Sequence, residues 1–348
     1  MVRIAGTGMA LPPYRLDAAG FRAVLGAAFA PFYRDLRPLL RMADRCGVQE
    51  RYLALPVEET LRSRSLGERN RIYVEQARAL GEQAARQALL RSATDPRAID
   101  LVVTVSCTGY MLPSLDAYLV GSLSLRPDVR RLPITELGCL AGAAALNRAA
   151  ELLDGDSRRT ALVVAVELPS LTFQPDDGSM DNLVSALVFA DGAGAAVLRH
   201  DAGPGLALLD SRSLLVPGTL GEMGFELREG GFHVVLSKDV PALLAGPFAA
   251  AASRLLADHG LTFRDLSFAC IHPGGPKILQ AVDAALAVEG LTAVSWQVLS
   301  SFGNQSSAAV LTILNTLAEE HVPAGAKGLL AGFGPGLSLE LGLLECRA

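Results

Sequence analysis

Three residues of types that cooperate in carbonyl chemistry stand far apart in the chain: Cys139, His272 and Asn304. Cys139 lies between Gly138 and a run of small residues, Leu-Ala-Gly-Ala-Ala-Ala-Leu, that predicts a buried helix. A thiol at a helix N-terminus meets the positive end of the macrodipole and unpaired backbone N–H groups, both of which favour thiolate. Taken alone, it serves equally well as a space filler in a Gly/Ala helix. His272 closes an apolar stretch at 268–272 and is followed by Pro-Gly-Gly-Pro-Lys, which turns the chain out of a sheet. The end of a strand is where α/β proteins place reactive side chains, although a hydrogen-bonded structural histidine fits there too. Asn304, in Ser300-Ser-Phe-Gly-Asn-Gln-Ser-Ser307, immediately precedes an apolar helical stretch and so suits an N-cap. Its amide does not titrate near neutral pH, so in catalysis it acts as a fixed hydrogen-bond donor.

Together the three form a coherent apparatus: a cysteine nucleophile, a histidine to hold it as thiolate, and His plus Asn to stabilise negative charge on a carbonyl oxygen. Papain-like proteases combine the same residue types, but there the Asn orients the His, and the local signature of that nucleophile is absent here.

These residues need a large scaffold. A chain of 348 residues suits two domains, or one fold of two similar halves sharing a core. Half the residues are hydrophobic and 19% are charged, the balance of an α/β enzyme rather than of a disordered chain. The formal charge of −5, without any dense Lys/Arg run, argues against a nucleic-acid or membrane footprint. Neither a signal peptide nor an uninterrupted apolar stretch of about 18 residues is evident, so a cytoplasmic protein without membrane insertion is expected. Five scattered cysteines, with no Cys-x-x-Cys pair and no His at zinc-ligand spacing, indicate neither a disulfide framework nor a structural metal.

Apolar strands are expected at 2–7, 101–106, 161–166 and 193–198, with helices at 72–91 and from 138–146 to about residue 153. After Pro204 the composition repeats: strands near 206–211, 268–272 and 328–332, and helices over 240–259, 275–287 and 307–320. This order predicts a layered α/β architecture of two analogous halves, 1–203 carrying the cysteine and 204–348 carrying the His and Asn. The Pro/Gly-rich boundary at 202–205 is too short for a flexible linker, so tight packing of the halves is expected.

The motifs Leu137-Gly-Cys-Leu-Ala-Gly142, His272-Pro-Gly-Gly-Pro-Lys-Ile-Leu279, Gly303-Asn-Gln-Ser-Ser307 and Gly332-Phe-Gly-Pro-Gly-Leu-Ser-Leu-Glu340 stand in the order found in the type III polyketide synthases. The chain resembles that chalcone and stilbene synthase superfamily from about Arg3 to Leu344. The resemblance implies a thiolase-like fold with a layered αβαβα core. It implies that Cys139 takes an acyl starter from its CoA ester, and that His272 and Asn304 bind the thioester oxygen of malonyl-CoA while it decarboxylates. The enolate then attacks the acyl-Cys139 thioester, and repetition builds a poly-β-keto chain that cyclises. The CoA esters are substrates, and no cofactor is implied.

By the same resemblance Arg41 and Arg45 match CoA phosphate-binding positions, with Lys277 a further candidate and Pro38 replacing a third basic residue. Phe189 matches a gatekeeper between CoA tunnel and cavity, and Val234 replaces a second gatekeeper phenylalanine, with Phe232 nearby. Cys107, Pro169, Thr172, Ser185, Met223, Phe225 and Ser306 match cavity-lining positions. Phe225 stands where many plant members carry glycine, which implies small products, a triketide or tetraketide pyrone or a small aromatic ring, unless a separate tunnel past Cys107 and Thr172 accepts a long acyl tail. A homodimer is implied, with Leu112 near the partner's cavity. The rival readings are an initiation-type β-ketoacyl synthase of fatty-acid synthesis, which shares the fold and residue types, and a noncatalytic subunit that keeps the fold.

Overall fold

The computed structural model describes residues 1–155, 158–320 and 322–348. The first half of the chain supplies strands β1 (Val2–Ala10), β2 (Leu101–Val105), β3 (Arg130–Ile134), β4 (Thr160–Glu167) and β5 (Gly192–His200). The second supplies β6 (Gly205–Leu215), β7 (Leu266–Ile271), β8 (Lys327–Gly334) and β9 (Ser338–Arg347). They hydrogen-bond in the order β7-β8-β9-β6-β1-β5-β4-β2-β3. In the first half β2 is parallel to β3 and β4, β4 is antiparallel to β5, and β5 is antiparallel to β1. In the second half β7 is parallel to β8, β8 antiparallel to β9, and β9 antiparallel to β6. The halves thus repeat one topology, with β3 the unmatched strand. They join where Arg3 and Ile4 of β1 pair with Ala207 and Leu206 of β6.

Five helices complete the layers: α1 (Leu66–Arg91), α2 (Ala141–Leu153), α3 (Val240–Ala257), α4 (Pro276–Leu286) and α5 (Ala309–Leu317). Alternation along the strands assigns each face. Ala161, Val163 and Ala165 of β4 join the core around α2 and α5, whereas Leu162, Val164 and Val166 join the core around α1. In β8, Leu330 points to the middle layer, while Leu329, Ala331 and Phe333 meet α3 and α4. The result is α1, sheet, α2 with α5, sheet, α3 with α4: an αβαβα sandwich. A helix between two sheets has no solvent face, and every residue of α5 but Thr316 is buried.

The helix expected at 72–91 begins earlier, because Ser65 and Glu68 form a capping box that satisfies the first orphan N–H groups. Helix α3 has the length and hydropathy of a membrane span, yet its Leu244, Phe248, Ala252, Leu255 and Leu256 pack into the core beside the sheet. Two ribbons lie outside the sheet, Tyr14–Asp17 with Glu50–Leu53 and Met223–Arg228 with Gly231–Leu236.

Candidate active site

Cys139 sits in the short turn Gly138–Leu140 that leads into α2. Two glycines allow the close packing of this turn. Gly138 has φ +58° and lies against Pro335, and a Cβ on Gly142 would collide with the carbonyl oxygen of Ser307. The turn Ser306–Ala308, which opens α5, is therefore pressed onto the cysteine. The Cys139 thiol lies 3.3 Å from the Ser306 hydroxyl. Ser306 itself adopts a left-handed backbone, φ +50°, and its N–H donates to Asn304 Oδ1 at 2.8 Å.

Asn304 is buried and gripped on both sides of its backbone: its N–H donates to Val188 O at 2.8 Å and its carbonyl accepts from Ala190 N–H at 3.0 Å. With Oδ1 engaged by Ser306, the amide NH2 is the group left to offer a substrate oxygen. His272 follows β7 directly; its N–H donates to Ala331 O at 2.8 Å and its carbonyl accepts from Gly274 N–H at 3.0 Å. The ring is buried, and Nδ1 has no hydrogen-bond partner among the described residues. Burial pushes the imidazole down to about 3, so it is neutral near pH 7.

The group at the centre of this cluster is one that the sequence reading did not single out. Glu167, wholly buried at the end of β4, accepts from Thr108 Oγ1 at 2.7 Å and Cys107 N–H at 3.2 Å, and from Ser307 Oγ. Cys107 Sγ lies 3.4 Å from Glu167 Oε1 and 3.4 Å from Ser306 Oγ. Burial raises the Glu167 carboxyl above its ordinary value despite these donors. The signal was present in the sequence: a lone acid ends the otherwise apolar Ala-Leu-Val-Val-Ala-Val-Glu segment.

This setting opposes the expected thiolate. Burial pushes the Cys139 thiol up to about 12, the Ser306 hydroxyl counteracts it in part, and Glu167 adds to it. The helix start is where the sequence placed it, but desolvation outweighs the end of the macrodipole. Cys107 is pushed well above the ordinary range, first by burial and then by Glu167.

The remaining candidates fall into three groups. Pro169, Ser185 and Phe189 share an apolar cavity of about 70 Å³ with Phe21, Leu25 and Phe29 of helix Ala18–Phe29. The hydroxyls of Ser185 and Thr172 turn to the backbone, donating to Asn182 O at 2.9 Å and Pro169 O at 2.8 Å. Met223, Phe225 and Val234 lie on one face of the ribbon Met223–Arg228/Gly231–Leu236, where Phe225 pairs with Val234 and Met223 with Leu236. Phe232 shares that face, its ring 5.8 Å from that of Phe225.

Arg41 in helix Arg37–Ala43, Arg45 just beyond it and Lys277 in the first turn of α4 are exposed, and among the described residues none has an ion pair. Gly47, two residues past Arg45, lies near Pro276, which adjoins Lys277. Leu112 and Tyr110 are 81% and 63% exposed on a loop far from this rim in sequence.

Comparison with known proteins agrees with the geometry. The family models for chalcone and stilbene synthases match residues 35–202 with the N-terminal domain and residues 208–346 with the C-terminal domain. The 1,3,6,8-tetrahydroxynaphthalene synthase of Streptomyces coelicolor is 38% identical over 306 residues, 87% of this chain and 82% of that protein. Phloroglucinol synthase of Pseudomonas fluorescens is 34% identical over 312 residues, 88% of this chain and 89% of that protein. The crystal structure of the Streptomyces coelicolor enzyme superposes with a TM-score of 0.95 at 34% identity, covering 99% of each chain. That of a polyketide synthase from the brown alga Ectocarpus siliculosus superposes at 0.92 with 28% identity, covering 99% of this chain and 98% of that one. A thiolase-like sandwich, a Cys139 thiol joined through Ser306 to the buried Asn304, and family matches in both halves lead to one assignment: the chain belongs to the chalcone and stilbene synthases, the type III polyketide synthases, acyltransferases that work by decarboxylative condensation.

Proposed function

We propose that Cys139 is the acyl acceptor and that His272 and Asn304 bind the oxygen on which negative charge develops. One observation carries this reading: Ser306 contacts the Cys139 thiol while its N–H holds Asn304 Oδ1, leaving the Asn304 NH2 as donor beside the nucleophile. Neutral His272 is able to take the Cys139 proton as the thiol attacks the acyl-CoA carbonyl. The Cys139 S–C bond forms, the CoA S–C bond breaks, and the proton leaves with CoA as free thiol. Malonyl-CoA then binds with its thioester oxygen at His272 and Asn304. Its C–CO2 bond breaks, CO2 departs, and the electron pair becomes an enolate held by those donors. The enolate carbon attacks the acyl-Cys139 carbonyl and the Cys139 thiolate is expelled, ready for another round.

The half 1–203 supplies the nucleophile and the half 204–348 the His and Asn. Phe189, with Cys107, Pro169, Thr172, Ser185, Met223, Phe225, Val234 and Ser306, shapes the space for the growing chain. Arg41, Arg45 and Lys277 receive the CoA phosphates, which fits their exposure and the absence of an ion pair for any of them among the described residues. Two curated relatives are named for making small polyhydroxylated aromatics, and we assign this chain a product of the same class, a compact aromatic ring or pyrone. The working form is a cytoplasmic homodimer that uses no cofactor.

The test is mass spectrometry of products from a panel of acyl-CoA starters with malonyl-CoA and no carrier protein. Polyketides are expected; an enzyme idle until acyl carrier protein is added would point to a ketosynthase instead. Cys139→Ala should abolish acyl loading, because the acceptor thiol is removed. A stable acyl adduct on another cysteine of the native protein would refute the assignment. Asn304→Ala should load normally and decarboxylate malonyl-CoA about a hundredfold more slowly. Equal loss of both half-reactions would contradict this division of labour.

A further inference from the structure

Arg51, in the strand Glu50–Leu53, is a buried cation with no carboxylate partner among the described residues. Its guanidinium lies 3.6 Å above the Phe21 ring and lines the apolar cavity next to Phe189. Beside the Cys46 thiol, its guanidinium donates to carbonyls at the C-terminal end of one helix, Met180–Val188, and of its cap residue. Nη1 donates to Ala186 O at 2.7 Å and to Phe189 O at 3.2 Å, and Nη2 donates to Leu187 O at 2.9 Å. These carbonyls face away from any further helical turn, so they lack intrahelical donors, and a cation suits the negative end of the helix.

The segment fixed in this way, residues 188–190, is the one that grips Asn304: Val188 O accepts its N–H, Ala190 N–H donates to its carbonyl, and Phe189 and Asn304 form a parallel bridge. We propose that Arg51 is a positioning residue for the decarboxylation step, acting through this backbone to set the Asn304 amide and the Phe189 ring together. The proposal rests on the reading of Asn304 given above. Arginine is required because its planar fork reaches three carbonyls at once, which a lysine ammonium on a flexible stem does not. A requirement for stability alone would be met more cheaply by an apolar side chain, since a buried charge carries a desolvation cost.

The test uses the full chain in four forms: Arg51→Lys, Arg51→Met, Arg51→Ala and Asn304→Ala. Acyl loading of Cys139 is read by intact mass, and malonyl-CoA decarboxylation by CO2 release. Arg51→Met and Arg51→Lys should load within about twofold of wild type but decarboxylate about 30-fold more slowly, the loss lying in kcat rather than KM. Because Arg51 lines a cavity, guanidinium ion well below denaturing concentrations should partly restore Arg51→Ala and leave Asn304→Ala unchanged.

The proposal fails if folded Arg51→Met decarboxylates within about twofold of wild type. It fails equally if loading and decarboxylation fall together in Arg51→Lys without rescue of Arg51→Ala, the pattern of a general structural role. Should Arg51→Met not fold, the lysine variant and the guanidinium rescue decide the matter alone. Slow decarboxylation in the arginine variants beside normal decarboxylation in Asn304→Ala would overturn both the proposal and the role of Asn304. Slow Asn304→Ala beside normal arginine variants would overturn the proposal only.

Discussion

At the centre of the site a carboxylate, Glu167, is surrounded by hydroxyl and N–H donors rather than by a cation. Such donors steady a buried charge without neutralising it, so its field still reaches the neighbouring thiols and adds to the burial that keeps Cys139 protonated. Cys139 thus rests as a thiol, and on the function proposed above its proton must leave during loading. Burial depresses the His272 imidazole to about 3, so it rests neutral and is a weak base at this position. The same depression has a consequence for stability. In the folded protein His272 binds its proton only near pH 3, whereas unfolded histidine does so near about 6.5. Between these values the unfolded state binds more protons, so His272 contributes stability that is present above about pH 6.5 and is lost as pH falls toward 3. The slope approaches about 1.4 kcal/mol per pH unit. Glu167 and Asp191, whose folded values are raised by burial, act in the opposite direction and are common to both proteins in a comparison of wild type with His272→Gln. Urea unfolding between pH 7 and 4 should therefore show a smaller acid loss in the variant, and identical slopes would mean that the imidazole is not desolvated as described.

The ribbon Met223–Arg228/Gly231–Leu236 shows what an element adds beyond its residues. Pairing of Phe225 with Val234 and of Leu227 with Phe232 puts the aromatic rings and the valine on one face, with Glu226 and His233 on the other. The question of whether Val234 or Phe232 occupies the second gatekeeper position thus concerns two neighbours on a single wall. Apolar strands and helices of the layered core were legible as runs and periodicities, because burial on both faces demands them. This ribbon and that of Tyr14–Asp17 with Glu50–Leu53 were not, since their stability comes from pairing across the chain and from one half-covered face. Phe225 is half-buried, so Phe225→Gly should cost about 1–2 kcal/mol of stability, less than a core truncation. Its larger effect should be on product size. The vacated ring volume should admit a longer starter or one more extension, scored by mass spectrometry with acetyl-CoA and octanoyl-CoA. A folded variant with unchanged starter preference and chain length would show that Phe225 faces away from the growing chain.

At the scale of the whole molecule, two copies of one topology share a middle layer, and the turns that open α2 and α5 bring Cys139 to Ser306 and, through it, to Asn304 across a long stretch of chain. The motif order pointed to Cys139 and Asn304; the buried Glu167 and Arg51 near them were not legible, because nothing local marks a charge as interior. Surface chemistry poses the complementary problem. Leu112 and Tyr110 project apolar side chains from a loop whose start is tied to α1 by Asn70, which exchanges hydrogen bonds of 2.7 and 2.8 Å with Tyr110. A leucine 81% exposed forgoes the about 1.5–3 kcal/mol that full burial would contribute, and a homodimer recovers this twice, once per subunit. Light scattering of the wild type at micromolar concentration should give a dimer, and a monomer would end the proposal. Leu112→Asp should weaken association by about tenfold or more, because each interface copy would then bury an unpaired carboxylate. The variant monomer should still load Cys139, whose surroundings come from its own chain, while its product profile shifts if the loop reaches the partner's cavity. Unchanged association together with an unchanged product profile in Leu112→Asp would place the loop in solvent and leave the dimer to be sought at another face.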